Sequence, residues 1–212
     1  WDGLQISILQ TALSLMFIVG ISWWLMNKST VALKLGLLFL LGFITLRTLS
    51  FIENQRQQKI IVYNVPQKRA IDIVKGRNYT FVGDSDLLKN DFARNFHLKP
   101  ARILFRVKEA KAKEQFVCTK NYLTYKDKHI LLIDEAIAFS KQPSKPVIDL
   151  LVISKNPKLY IKTLAASLDI KQVVFDGSVP SWKARYWKKD CDSLHIPWHD
   201  VALKGAFVMS IN

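Results

Sequence analysis

Cysteine is scarce. The 212 residues hold two, Cys118 and Cys191, far apart and in no C-x-x-C arrangement. This excludes a cysteine-rich zinc module and a disulfide-stapled scaffold, while spacing alone leaves open whether the two thiols pair. Cys118 sits in an apolar, strand-like run, where an inert buried thiol is the expected state. Histidine is nearly as rare, with four copies at His97, His129, His195 and His199. Neither a Walker-type loop nor a G-x-G-x-x-G stretch occurs, and Gly76, Gly83, Gly177 and Gly205 stand singly, as turn residues do. Repeats and low-complexity tracts are lacking. Acidic side chains are outnumbered, 17 against 31 Lys and Arg, for a net charge of +14.

What is present begins with two apolar runs. Residues 4–26 carry no formal charge, and their length suffices to cross a bilayer as a helix. No basic leader precedes them and no small-residue cleavage site follows, so the run does not read as a cleaved signal. After the linker 27–30, residues 30–52 form a second run with Lys34 and Arg47 near its ends, from where long stems reach the headgroups. Trp23 and Trp24 suit the interfacial aromatic belt. The alternative, a buried helical hairpin of a soluble protein, is disfavoured by the length of the runs. Lys28 and Lys34 mark one end of the hairpin and Arg47, Arg56 and Lys59 the other, so charge gives no orientation. The chain opens on Trp1 rather than Met, and is read as a piece of a longer or processed protein.

Residues 1–56 contribute four Lys/Arg and two Asp/Glu, leaving twelve of the fourteen net charges beyond them. Such a surface attracts anionic lipid or nucleic acid, or is simply solvated; the interspersed acids define no basic block. The polar stretch 53–58 marks the boundary between a hairpin domain, 1–56, and a soluble domain, 57–212. Three short β-type runs at 59–65, 69–75 and 78–83 read as an antiparallel meander. Asp84-Ser-Asp86 reads as a helix start, with Leu87, Leu88 and Phe92 at helical spacing. Strands are expected at 101–107, 115–119, 122–125 and 129–134, and a Pro-bearing loop at 140–146. A strand at 148–153, a helix at 158–168 and a strand at 172–176 follow. A Trp-rich helix starts near Pro180, and 198–203 and 206–211 are strand-like. The fold class is α/β or α+β.

The chemistry-bearing candidates are few. Cys191, His195 and His199, with Asp192 and Asp200 beside them, are spaced for one helical face, but Pro197 interrupts it. Ser154-Lys155 could form a nucleophile pair, yet neighbours on a strand point to opposite faces. Asp84/Asp86 and Asp134/Glu135 could act as acid–base pairs, or cap helices and end strands. Residues 182–189 interleave aromatics with cations, which suits base stacking with phosphate neutralisation. The same pattern arises where a helix packs aromatics on a sheet and shows cations to water. Helical spacing groups Trp182, Tyr186 and Cys191 on one side and Lys183 with Trp187 on another.

Three features resemble the ComEC family of competence proteins. The run Tyr63-Asn-Val-Pro-Gln-Lys-Arg-Ala-Ile-Asp-Ile73 is similar to the L-D-V-G-Q-G-D-A-I-L-I opening of their C-terminal domain, keeping V-x-Q-x-x-A. The strand ending in Ser154-Lys155 resembles the one that leads into S-H-x-x-x-D-H. An apolar hairpin directly precedes the domain, as the end of a polytopic membrane region would. The segment 149–164 also resembles the strand–loop–helix frame on which metallo-β-lactamase-like hydrolases carry H-x-H-x-D-H. Here the slots hold Lys155, Pro157, Leu159 and Tyr160, none a normal zinc ligand. A family-like L-I-D strand end fits either Phe81-Val-Gly-Asp84 or Leu132-Ile-Asp134.

The resemblance implies two transmembrane helices followed by a degenerate metallo-β-lactamase-like domain. It implies an inner-membrane, multi-pass DNA-uptake channel protein of natural transformation, with the soluble domain outside the cytoplasm. No catalytic residue, metal or cofactor is expected, and the chain is not expected to be an enzyme. Partners would be the membrane, the rest of the polytopic protein, other DNA-uptake components and single-stranded DNA. Nucleic-acid contact would fall to Lys155, Lys158, Lys162, Trp182, Lys183, Arg185 and Lys188. The alternative is a structural or interaction module of a membrane transporter that binds no DNA.

Overall fold

The structure, a computed structural model, describes residues 6–110, the backbone of 117–119, and residues 121–136 and 145–211. It opens with two helices, α1 (Ile8–Asn27) and α2 (Thr30–Arg56). Ser7 starts α1 with a capping box: its hydroxyl accepts from the Gln10 N–H while the Gln10 side chain accepts from the Ser7 N–H. Lys28, left-handed at φ 51°, ends α1, and the Ser29 hydroxyl accepts from the Ala32 N–H to start α2. The helices pack closely where both lack a side chain. A Cβ on Gly20 would stand 2.9 Å from the Gly36 Cα, the small-residue contact that lets membrane helices approach. Leu15, Val19, Leu38 and Leu41 are each more than half exposed, and 6% of each apolar window is buried. The hairpin is therefore not the covered core of the domain behind it. Both helices are long and apolar enough to cross a membrane.

The expected polar boundary at 53–58 contains no loop. Residues through Arg56 continue α2, and β1 (Gln58–Val62) starts two residues later. It pairs with β2 (Ala70–Lys75), which pairs with β3 (Asn78–Gly83), giving the expected antiparallel meander. A helical segment follows: α3 (Asp86–Lys89), α4 (Asp91–Ala93), a π turn at Arg94–Leu98 and α5 (Lys99–Leu104). Next come β4 (Lys108–Glu109), β5 (Val117–Thr119), β6 (Tyr122–Tyr125), β7 (Lys128–Ile133), β8 (Val147–Ile148) and β9 (Leu150–Ile153). The chain ends with α6 (Ile161–Ser167), β10 (Asp169–Ile170), β11 (Val173–Phe175), α7 (Ser181–Ser193), β12 (Trp198–Asp200), α8 (Val201–Lys204) and β13 (Phe207–Ser210). Of the Pro-bearing loop expected at 140–146, residues 140–144 lie outside the described residues.

β8 and β10 form a small parallel pair; of the two larger sheets, one runs β13-β1-β2-β3-β4 and the other β12-β11-β9-β7-β6-β5. They stack face to face, and helices cover both outer faces. The period of two along each strand sorts the side chains. In β1, Ile60 and Val62 enter the core between the sheets, while Ile61 and, just beyond, Tyr63 meet Leu87 and Leu98 of the helical segment. In β9, Leu150 and Val152 face the inter-sheet core, and Leu151 and Ile153 face α6 and α7. Strands covered on both faces read as continuous apolar runs, which is why 148–153 does not alternate.

Two expectations fail. Residues 101–107 are not a strand: Pro100 sits in the first turn of α5, and Arg102 points inward. At 198–203 the strand stops at Asp200, whose carboxylate accepts from the Ala202 N–H and starts the turn α8. The inward Arg102 explains the first failure. Its Nε and Nη2 donate to the two oxygens of Asp72 at 2.8 and 3.0 Å. Tyr63 donates to the same carboxylate at 2.7 Å, and the guanidinium lies 3.9 Å from the Tyr79 ring centroid. Burial pushes the Asp72 carboxyl up, against the pull of Arg102. Removing one partner strands the other charge, so Asp72→Ala is expected to cost about 3–5 kcal/mol. The double variant Asp72→Leu/Arg102→Met should recover most of this in thermal melts of the detergent-solubilised chain. A double variant as unstable as the single one contradicts this account.

Candidate functional site

Strands β7, β9, β11 and β12 are mutually parallel, so their carboxyl ends open on one edge, where ligand crevices of such sheets form. Asp134 follows β7, Ser154-Lys155 follows β9, and Asp176 follows β11. Loop 63–69 reaches this edge from the other sheet: the Gln67 N–H donates to the Gly177 carbonyl at 3.0 Å. Gly177 is required there, since a Cβ would stand 2.6 Å from the Val65 carbonyl oxygen. The loop delivers Arg69, whose Nη1 donates to Asp134 Oδ2 at 3.2 Å. Lys155 Nζ reaches the same oxygen at 3.4 Å. Of the two family-like strand ends, Asp134 is the one that meets the loop after β9. Asp84 instead closes the neighbouring turn, accepting from the Arg69 N–H at 3.0 Å.

Behind this pair lies a buried polar cluster. Ser154 and Asp176 are 0% and 1% exposed. Asp176 Oδ1 accepts from the Ser178 N–H and hydroxyl, and the Ser178 hydroxyl in turn accepts from the Lys155 N–H. Ser154 Oγ, Asp176 Oδ2 and Arg69 Nε are buried without a hydrogen-bond partner. Burial pushes the Asp176 carboxyl up, and the hydrogen bonds from Ser178 and the Arg69 charge act to lower it. Ser154 is inward and Lys155 outward, so these neighbours diverge as strand geometry requires and form no nucleophile pair.

The other expected site residues divide. Lys158, Lys162 and Arg185 are exposed, Lys162 with its ammonium 3.6 Å from Asp190. Trp182 and Tyr186 are 58% and 63% exposed and meet edge to face, their ring centroids 6.4 Å apart. Tyr160, in one of the four ligand-like slots, is 75% exposed. Lys183 bends back to Asn156 Oδ1 and the Pro157 carbonyl, locking the start of α7 onto the loop after β9. Lys188 does not join this face: it pairs with Asp200, its side chain 15% exposed. Cys191 corrects the helical grouping, since it is buried beside Ala184 and Trp187, opposite Trp182 and Tyr186. Trp187 stacks on Phe175 at 5.9 Å. The aromatics of α7 are thus split, one packed on the sheet and two left to solvent.

The Cys191–His199 cluster does not converge. Cys191 is a free thiol pushed by burial up to about 12, His199 Nε2 meets the Gly205 carbonyl at 2.9 Å, and Asp192 accepts from the Trp198 indole. Among the described residues no three His, Cys, Asp or Glu side chains come together as a metal-binding group. Arg69 was not selected from sequence, and Tyr160 and Tyr186, noted there as a ligand-like slot and as part of the aromatic–cation stretch, were not among the expected nucleic-acid contacts. The signal for Arg69 was its place in Pro-Gln-Lys-Arg, where the family pattern has Gly-Gln-Gly-Asp.

A raised carboxyl gives a defined pH signature. Above about pH 3.9 the unfolded state loses the Asp176 proton first, so the folded state binds more protons and stability falls until the folded value is passed. Asp176→Asn keeps the Oδ1 acceptor and removes this loss. The variant is expected to melt higher than the parent at pH 7, with the difference closing toward pH 4. Equal melting temperatures at pH 7 would contradict the assignment.

The family model for the ComEC C-terminal domain matches residues 60–211, which takes in the meander, the polar edge and α7. No curated protein and no solved structure matches. Spanning the whole domain behind the apolar hairpin, that match places the chain in the ComEC family of competence and DNA-uptake proteins.

Proposed function

We propose that this chain is the C-terminal part of an inner-membrane channel protein for DNA uptake in natural transformation. In this reading its domain is a degenerate metallo-β-lactamase-like fold that does no chemistry and guides single-stranded DNA. The carrying observation is the charge at the carboxyl edge. β9, the loop after it and α6 supply a strand–loop–helix frame, but its four slots hold Lys155, Pro157, Leu159 and Tyr160. Zinc needs imidazole, thiolate or carboxylate donors. Lys155 and Arg69 instead bring two positive charges onto Asp134. A divalent cation there would be repelled by both and would find the Asp134 carboxylate already engaged. These residues do not fit a metal, and no hydrolytic step is derived.

The same edge suits a polyanion. Lys158, Lys162 and Arg185 are exposed cations, and Tyr160, Trp182 and Tyr186 are exposed aromatic faces. Bases stack on such rings without sequence preference, while cations neutralise the backbone. An extracytoplasmic position of the domain follows from the family role and belongs to the same proposal.

Lys158→Ala/Lys162→Ala/Arg185→Ala in the full chain is expected to flatten the salt dependence of single-strand binding by roughly two units of slope, at about 0.7 per phosphate contact. Trp182→Ala is expected to weaken binding by about 1–3 kcal/mol. Lys188→Ala should leave the slope unchanged. An unaltered slope in the triple variant, or no binding by the parent, favours a structural module. Stoichiometric metal with DNA hydrolysis would overturn the non-catalytic part.

A further inference from the structure

The opposite pole of the domain carries a second charged surface. There α2 runs into β1 with Gln57 alone between them. The Gln57 side-chain amide donates to the Gly76 carbonyl at 2.9 Å and the Phe105 carbonyl at 2.6 Å. Two turns are thereby tied to the end of α2, the β2–β3 turn at Gly76–Arg77 and the turn after α5. Gly76 is left-handed at φ 59°, and a Cβ on it would stand 2.8 Å from the Gln55 carbonyl oxygen. Arg106, φ 51°, is left-handed in the second turn. The Lys108 N–H donates to the Arg77 carbonyl at 2.8 Å, joining the turns.

The height of these turns can be read along α2. Gln10 of α1 reaches Ser50 of α2 at 3.5 Å, so the start of α1 is level with Ser50. Residues 51–56 therefore rise about 9 Å beyond the paired apolar stretch, comparable to one headgroup layer. The Arg77 guanidinium lies 5.1 Å from the Phe51 ring centroid, at the bottom of that interval. Lys59 Nζ lies 4.2 Å from the Phe105 ring, and Leu104 beside it is 54% exposed. Residues 51–60, 73–79 and 103–109 together hold six cations, Arg56, Lys59, Lys75, Arg77, Arg106 and Lys108, against two acids, Glu53 and Glu109.

We propose that the two turns packed on the end of α2 form a basic collar that seats on the phosphates of an anionic bilayer leaflet, with Leu104 pressed into the headgroup layer. The collar rests on the reading of α1 and α2 as membrane-spanning and is independent of whether the far edge binds DNA. Its partner is lipid because the charge sits where α2 leaves its apolar run, continuous with the exposed apolar faces of Phe51 and Ile52. Each cation near an anionic leaflet adds roughly a five-fold preference for the seated state.

The test is hydroxyl-radical footprinting of the full chain in nanodiscs. Modification of Leu104 is read against Leu203, which is 74% exposed on α8 at the far end. Met16 in α1 reports insertion of the hairpin. The Leu104-to-Leu203 ratio should fall in phosphatidylglycerol discs relative to purely zwitterionic ones. It should return in Lys75→Gln/Lys108→Gln, whose surface changes leave the core intact. A ratio indifferent to lipid charge, with Met16 protected, overturns the collar alone. An unprotected Met16 overturns the spanning reading. Leu104 protection that appears only with a single-stranded oligonucleotide assigns the patch to nucleic acid and overturns the lipid seat.

Discussion

The structure depends on one constraint: two stacked sheets whose central strands are covered on both faces. A strand such as β1 must then be apolar wherever both faces are covered, at Ile60, Ile61 and Val62, because even residues fill the inter-sheet core and odd ones meet the helical segment. Any polar group entering these layers needs a partner from the layer opposite. Asp72 shows how this is met. It takes an outer-face position of β2, between Ile71 and Ile73 that point inward, and is neutralised by Arg102 from the helix above. The bidentate pair thereby sets where α5 lies on the sheet. Pairs of this kind contribute little net stability against an apolar pair and much geometric definition.

The carboxyl edge follows from the same layering. Four parallel strands end together there, and each end releases a side chain that the core cannot hold. Buried groups without partners are uncommon in native interiors. Among the described residues, Ser154 Oγ, Asp176 Oδ2 and Arg69 Nε are such groups at this edge, and Gln57 Oε1 and Gln58 Oε1 are two more at the opposite pole. Such local inconsistency is expected where a fold keeps a site. At this edge Lys155 and Arg69 place two positive charges on the single carboxylate of Asp134. Lys155 remains about half exposed while touching Asp134, so its charge faces the solvent side and can be re-partnered by an incoming anion.

Much of this was legible in the sequence, for identifiable reasons. The chargeless run before residue 27, the meander and the continuous apolar run of β9 each carry their own period, and periodicity is local. The face of α7 was misjudged by simple geometry: Cys191 is nine residues beyond Trp182, two and a half turns, and therefore opposite it. Residues 101–107 carry strand-like Ile, Leu, Phe and Val, and nothing local shows that Arg102 is buried against a carboxylate thirty residues earlier. Lys188 looked like its neighbours until Asp200 folded beneath it. Arg69 was hidden in a loop whose reach to the second sheet is purely tertiary. The resemblance placed the frame, and the contacts that define its charge came from side chains distant in sequence.

The two poles are mechanically coupled. One residue separates α2 from β1, and its side chain is spent on both neighbouring turns, so the domain has no flexible tether to the apolar hairpin. From Gln58 at one end, β1 and the residues beyond it run to Val65, which packs against Gly177 at the other. Seven extended steps span about 23 Å. If the hairpin crosses a bilayer, the polar edge is held at roughly that height by a covalent strand with partners on both sides, and its direction is fixed as well as its distance. A loose linker would let the edge sample every orientation and would lose entropy on engaging a strand headed for the membrane. A rigid strut removes that loss. Under the proposed function, a guiding surface held this way would need only modest affinity, since the ordering loss that tight binding would have to offset is absent.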